Sequence, residues 1–461
     1  MSGDLFSSLS LASRALDAQR AGMDVVGQNI ANVNTAGYSR RVVDIATVTP
    51  LNYSSAERGA EVVSVRALRD RLLDRRLIQD VPTEQREAAV ARSLSVVQSA
   101  LGAPGQSLDA SLESFFNAFA NLAEDPASAV TRNEVQIQGD SLAAAFRNLA
   151  ERQAGDRRDA DRQIGDVVDN VNSLAARIAA LNDTLSRVPA DGALAVRDEQ
   201  AVLVRQLSQL IDVQTIERED GGVEISIAAG RALVVGGNVY ELEAAATPPN
   251  GFKELTANGA VVTDQIRGGR LGGLLAVRDT NIPDYQARLD LIAYETALQV
   301  NALHSAGFDL DGNAAGDFFG FPPAIVDSTG AAAAMTLDTD IATDPRRIAA
   351  AGMAAPGDNQ NARAIAALRN AQVLEGDTAT LSQGWGDLVY RVGGDTRYAG
   401  DEQRSRGEIV RQIDALRDEV AGVSLDEEAM HLLKFQRAYE AVAHFFRTVD
   451  QSLDTLLNLV R

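Results

Sequence analysis

Each end of the chain carries a long apolar stripe that nothing nearby in sequence can cover. Leu9, Ala12, Leu16, Gln19, Met23, Val26, Ile30 and Val33 fall at alternating spacings of three and four. That is the heptad pattern of a helix packed against other helices, with one polar position at Gln19. Phe435, Tyr439, Val442, Phe446, Val449, Leu453, Leu456 and Val460 repeat it at the other end. Fixing the backbone of such a stretch costs roughly 1–2 kcal/mol per residue. A buried large apolar side chain returns only about 1.5–3 kcal/mol. Neither terminal helix should be stable alone, and pairing the two still leaves much of their surface wet. They are expected to be mobile in the monomer and to order when other copies or other proteins surround them.

The first stripe runs into "GQNIANVNTAGYSR", residues 27–40. Asn32, Asn34 and Gly37 end the helix there, because asparagine tolerates turns and glycine takes a positive φ without strain. Tyr38, just after the turn, has the amphipathic character to anchor a hinge between layers. Arg40 has the same placement, and the plainer alternative for both is a half-buried loop residue. "RRVVDIATVTP" then reads as a strand with "EVVSV" as its partner. Before the last helix, Ser424 in "SLDEE" can cap and Glu427 occupies the capping-box position three residues later.

Between the ends, helical patterns cover about 67–101, 107–123 and 127–155, and a clean heptad runs from Ile164 to Leu185. A short link, "VPADGAL", leads to "VRDEQAVLVRQLSQLI", which implies antiparallel packing of those two helices. From Asp212 the chain turns β-branched and is punctuated by Gly-Gly pairs. The expected class is mainly α with a β-rich insertion. Residues 1–38 plus 425–461 are assigned to a terminal coiled-coil core region. Residues 39–211, 268–305 and 372–424 form a helical bundle domain, and 212–267 plus 306–371 a β-rich outer domain.

The totals exclude several function classes. Net charge is −21, so neither nucleic acid nor an anionic membrane surface is an expected partner. Cysteine is absent, which removes disulfides and thiolate metal sites. No apolar run is long enough for a transmembrane helix, and the N-terminal residues do not read as a Sec-type signal. His304, His431 and His444 have no nucleophile pattern around them, so no catalytic residue, cofactor or metal site is assigned. "GFDLDGNAAGDFF" places Asp309, Asp311 and Asn313 at alternate positions. Its glycine comes one place early for a calcium loop and position twelve lacks glutamate, so a turn before a strand is the default. "GGRLGG" lacks the Lys-Ser/Thr of a P-loop. In "RALRDRLLDRRLIQD", Arg66–Asp70 and Arg76–Asp80 have i,i+4 spacing, the pattern of a solvated or subunit-facing helix.

"GQNIANVNTAGYSR" resembles the N-terminal motif of the rod, hook and hook-associated axial proteins of the bacterial flagellum. "GVSLDEEAMHLLKFQRAYEAVAHFFRTVDQSLDTLLNL" resembles their C-terminal motif. "GGRLGGLLAVRDTNIPDYQARLDLIAYETALQVNALHSAGFDLDGNAAGDFF" and "LAVRDEQAVLVRQLSQLIDV" followed by "GGVEISIAAGRALVVGG" are similar to the branch of that family found at the hook–filament junction. The matches cover about half the chain in family order. The resemblance implies a structural, non-enzymatic protein, exported unfolded through the flagellar type III apparatus and located outside the cell. It implies a ring of copies, with hook protein and a second junction protein on the filament side as neighbours. It also implies an export chaperone on the C-terminal helix. Leu9, Leu16, Met23, Val26 and Ile30 would then form the assembly interface with Phe435, Tyr439, Val442, Phe446, Val449, Leu453 and Leu456. Asn32, Asn34, Gly37 and Tyr38 would form the hinge. The β region is modest, so a second outer domain is expected to be reduced or missing. The alternative from another class is a non-flagellar secreted helical adhesin or binding protein.

Overall fold

The computed structural model describes residues 2–47, 59–102, 107–189, 192–249, 251–355, 357–374 and 376–459. Helix α1 (Ser2–Ala31) leads into an antiparallel hairpin, β1 (Arg41–Thr47) with β2 (Ala60–Ala67). Helix α2 (Arg71–Ala100) starts at Asp70, whose carboxylate accepts hydrogen bonds from the Leu72 and Leu73 amides. Helices α3 (Leu108–Glu124), α4 (Ala129–Leu185) and α5 (Leu194–Leu210) follow. Residues 127–155 and 164–185, expected as separate helices, are both parts of α4. Nothing in "DRRDADRQ" between them breaks a helix, and 57 residues give a rod of about 85 Å.

That rod serves two cores. Its first half buries Val135, Leu142 and Phe146 in one. Its second half buries Ile164, Val167, Val171 and Ile178 in the other. The second core is completed by α5, α6 (Gly269–Ala276) and seven short strands: β3 (Gln214–Glu217), β4 (Val223–Ile227), β5 (Arg231–Val235), β6 (Asn238–Val239), β7 (Leu242–Ala246), β8 (Lys253–Ala257) and β9 (Ala260–Val261). They form two antiparallel sheets, ordered β3-β4-β5-β6 and β7-β8-β9.

The first core gathers α3, α7 (Ile282–His304) and the start of α11 (Leu381–Ala421). Between α7 and α11 lie β10 (Phe319–Gly320), α8 (Ala331–Ala334), β11 (Thr336–Leu337), α9 (Thr339–Thr343) and α10 (Gln360–Ala367). Residues 306–371 were grouped with 212–267 on composition, and here the structure differs. Among the described residues they contribute two strands of two residues each, and Phe318, Phe319, Met335, Ile341 and Ile348 enter the first core. The physical reason is an aromatic cluster. Phe318 stands 5.5 Å from Phe115 and 5.6 Å from Phe119, centroid to centroid. Gly139 admits its ring, because a Cβ there would lie 2.7 Å from it. Helix α11 then runs antiparallel to α2, with Gln403 donating to Glu84 at 3.1 Å. The chain ends in α12 (Leu425–Leu459).

His304 holds this wrapped segment. It is fully buried. Its Nε2 accepts the Ala349 amide at 2.9 Å, so the proton sits on Nδ1 and is donated to the Gly316 carbonyl at 2.7 Å. Burial pushes its pKa down from 6.5 to about 4, against the smaller raising effect of the Gly316 bond. The unfolded chain therefore binds the extra proton more readily between those values. The stability His304 contributes is complete above pH 6.5 and is lost as pH falls through about 4. At about 1.4 kcal/mol per pKa unit the loss is about 3 kcal/mol. His304→Phe should be less stable than the wild type at pH 7 and lose less of its urea midpoint on acidification to pH 4.5. Equal losses for the two proteins would contradict the assignment.

Candidate assembly interface

The two terminal helices pack on each other. Phe435 of α12 lies against Gly22 of α1, where a Cβ would come within 2.5 Å of its ring. Ala18, Gly22, Val25, Val26 and Asn29 are the buried positions of this part of α1. Leu9, Leu16, Met23 and Ile30 of the expected seam are half-buried. At about 100° per residue they lie roughly 140° around the helix from the Ala18–Gly22–Val25–Asn29 line. The contact at Phe435 thus uses the smaller side chains, and these larger ones lie toward the other side of the helix. On α12, Val449 is buried, Phe435, Val442, Phe446 and Leu453 are half-buried, and Tyr439 is 38% exposed. The side chain of Leu456 lies outside the described residues. Met430, Leu433 and Phe445 are exposed on α12 as well. Two helices side by side cannot cover both faces of either.

Where α1 ends, a polar cluster ties it to α12 and to the hairpin. Asn29 is 1% exposed, yet every hydrogen-bonding position of its amide is used. Its Nδ2 donates to the Arg41 carbonyl and to Glu428 Oε2, each at 2.9 Å. Its Oδ1 accepts from the Tyr38 hydroxyl at 2.8 Å and the Arg41 amide at 2.9 Å. Glu428, also 1% exposed, is paired by Arg40 Nε at 2.7 Å, and a second nitrogen of Arg40 reaches Glu427 at 2.7 Å. The Arg40 amide donates to the carbonyl of Ala421, the last residue of α11. A second layer fastens the root of the hairpin to α5. Asp198 accepts from Arg41 at 2.9 Å and from Arg69 at 2.6 Å. Burial of these carboxylates is tolerable because each oxygen faces a cation or a donor.

The hinge residues have distinct roles. Asn32 accepts from the Thr35 hydroxyl at 3.1 Å and donates to the Gln28 carbonyl at 2.9 Å. Asn34 is exposed. Gly37 has φ +81°, and a Cβ there would sit 2.1 Å from Val202. No other residue type satisfies both limits. Tyr38 spans the turn under the Arg41 guanidinium, 5.1 Å from its ring centroid. Burial raises its pKa, against the lowering effect of Arg41. Asn29, Arg41 and Asp198 were not picked out from the sequence, and Glu428 stands out there only as an acid suited to the N-terminal end of the last helix. Asn29 lies off the apolar stripe, on the Ala18–Gly22–Val25 line, where no local signal marks it.

The other sequence features are accounted for by packing and pairing. His431 and His444 are exposed on α12. Asp309 accepts from the Asp311 and Asn313 amides at 2.9 and 2.8 Å, and Asp311 pairs with Arg346. Its own turn and Arg347, 3.8 Å away, hold the Asp309 carboxyl below the usual range although burial pushes the other way. Gly269 has φ +68° and sits against the Leu210 backbone at the start of α6. Arg66 belongs to β2 rather than to α2, so it pairs with Asp44 across the hairpin at 2.9 Å while Asp70 caps α2. Arg76 does reach Asp80, at 3.9 Å. Among the described residues no helix is long and apolar enough to cross a membrane, and no three acidic or histidine side chains group as metal ligands.

Comparison with known proteins bears on the same segments. The family described as the flagellar hook-associated protein FlgK helical domain matches residues 94–319. The flagellar basal body rod FlgEFG protein C-terminal family matches 408–459, and the flagella basal body rod protein family matches 9–38. Flagellar hook-associated protein 1 of Bacillus subtilis is 25% identical over 98% of this chain and 98% of its own length. That of Escherichia coli is 24% identical over 97% and 98%. The solved flagellar hook junction protein FlgK of Burkholderia pseudomallei superposes with a TM-score of 0.69 at 16% identity, over 75% of this chain and all of that one. The two rod-type matches contain Asn29, Tyr38, Glu427 and Glu428, so they meet at the polar cluster.

If Asn29 organises that cluster, its loss should be felt at its partners. Asn29→Ala leaves four polar groups short of a bond, and one such group costs about 1–3 kcal/mol. Hydrogen exchange at the Arg41 amide should accelerate about tenfold or more, while amides of α4 keep their protection. Unchanged exchange at Arg41 would remove Asn29 from this role.

Proposed function

The chain belongs to the flagellar hook-associated protein 1 family, whose members are structural proteins of the flagellum rather than enzymes, and on that premise we propose that it is a subunit of the hook–filament junction. The observation that carries the reading is the terminal pair. Helices α1 and α12 rest on each other, keep half-buried seams, and leave Met430, Leu433 and Phe445 open to solvent. A surface of this kind gains by association with further helices. In the proposed assembly, copies of the chain form a ring, and residues 1–38 and 425–461 make the inner core. Leu9, Leu16, Met23, Val26, Ile30, Phe435, Tyr439, Val442, Phe446, Val449, Leu453 and Leu456 supply its contacts. Hook protein is the neighbour on one side and a second junction protein on the filament side. The hinge at Asn32, Asn34, Gly37 and Tyr38 turns the chain outward to the helical body.

Export through the flagellar type III apparatus, in an unfolded state and to the cell exterior, belongs to the same proposal, as does a chaperone that shields α12 beforehand. Shielding has a physical motive, because an uncovered stripe with Phe435 and Phe446 invites premature association.

Leu453→Asp places a charge in the seam and should leave the body folded by circular dichroism while preventing incorporation. Labelled wild-type protein should mark a narrow band at the base of each filament, and the variant should not. Normal filaments carrying the variant in that band would refute the seam, and wild-type label spread over the cell surface would refute the junction.

A further inference from the structure

A groove of about 930 Å³ opens beside the hinge. Its walls are Ala36, Gly37 and Ser39 after the turn, the start of α2, α5, β3 and the end of α11. Six arginines and three acids line it, in a chain whose net charge is −21. Arg69 is held by Asp198, Arg71 by Glu217 and Arg205 by Asp414. Among the described residues Arg75 and Arg197 have no carboxylate partner, and the Nε of Arg197 is buried without a hydrogen bond. Asp74 lines the same groove, where burial raises its pKa against the pull of Arg69, Arg417 and Arg205. Leu77, Ile78 and a 65% exposed Ile216 add apolar surface. The groove suits a segment that is both acidic and apolar.

The start of α12 is such a segment. From Asp418 to Glu428 there are five acids and no base. Leu425 is 52% and Met430 65% exposed, and Asp426 faces solvent between them. The start of α12 cannot serve its own groove, because Glu427 and Glu428 are held by Arg40 and Asn29. Ala421, on the groove wall, lies only three residues before Ser424. In a ring, one side of each copy meets the other side of the next. We propose that the start of α12, Leu425–Met430, docks into the Arg75–Arg197 groove of the adjacent copy, with Asp426 as the charge that meets Arg197. This rests on the junction reading above and adds the contact that sets neighbour to neighbour.

The absence of cysteine makes the test clean. Arg197→Cys combined with Asp426→Cys should give, after mild oxidation of isolated hook–filament preparations, a ladder of linked chains that neither single variant gives. Arg75→Cys with Met430→Cys is a second pair with the same expectation. Normal incorporation without a ladder from either pair overturns the docking and leaves the junction reading standing. An internal disulfide, seen as a faster-migrating single chain, also overturns it, since the groove would then be filled by its own chain. Wild-type protein missing from the preparations sinks the junction reading and the ring geometry that the docking requires. Charge reversal guards against misfolding of the cysteine variants. Arg197→Glu should cut incorporation about tenfold or more through like-charge repulsion, and Asp426→Arg in the same chain should restore it. Failure to restore incorporation in a variant with wild-type circular dichroism counts against the pairing.

Discussion

One buried amide holds the two ends of this protein to its middle. Asn29 joins α1 to the first turn of α12, 399 residues further on, and to the strand that leaves the hinge. Each of its four bonds removes a penalty that a buried polar group would otherwise impose. The Glu428 carboxylate can be buried because Asn29 and Arg40 both donate to it. Arg40 and Arg41 are in turn placed by the Gly37 turn, which has no room for a Cβ. The path of the chain from the terminal pair to the body is therefore set by mutually dependent polar contacts.

The body and the terminal pair differ in how completely they satisfy themselves. In the body, α4 runs through two cores and lends each of them a buried face. Loops from 306 onward wrap the first core and are pinned by His304 and by edge-to-face phenylalanines. The terminal pair has only its partner helix and the hairpin to lean on, and its larger apolar side chains stay half-exposed. The well-packed body is thus joined to a pair whose apolar faces are incompletely covered.

Much of this was legible along the chain. Heptads and the turn signals from Asn32 to Gly37 are local, and each rests on energetics within a few residues. They identified α1, the hinge, the hairpin and α12, and the alternating run after Asp212 became the short strands β3–β9. Local reasoning fell short where partners are remote. The composition of 306–371 is that of a loop-rich outer segment, but Phe318 and Phe319 place it in the helical core. Of the expected seam in α1, Ala12 and Val26 are buried, while Leu9, Leu16, Met23 and Ile30 lie off the line at which Gly22 admits Phe435.

Sequence alone determined the helical class, the exposed apolar ends, the turn at Gly37 and the absence of thiol chemistry, since backbone geometry and side-chain periodicity act over neighbouring residues. Tertiary structure alone decided that Asn29, Arg40, Arg41, Asp198 and Glu428 meet. Those residues come from three regions of the chain, and saturating a buried amide and two buried carboxylates takes donors that no spacing rule connects.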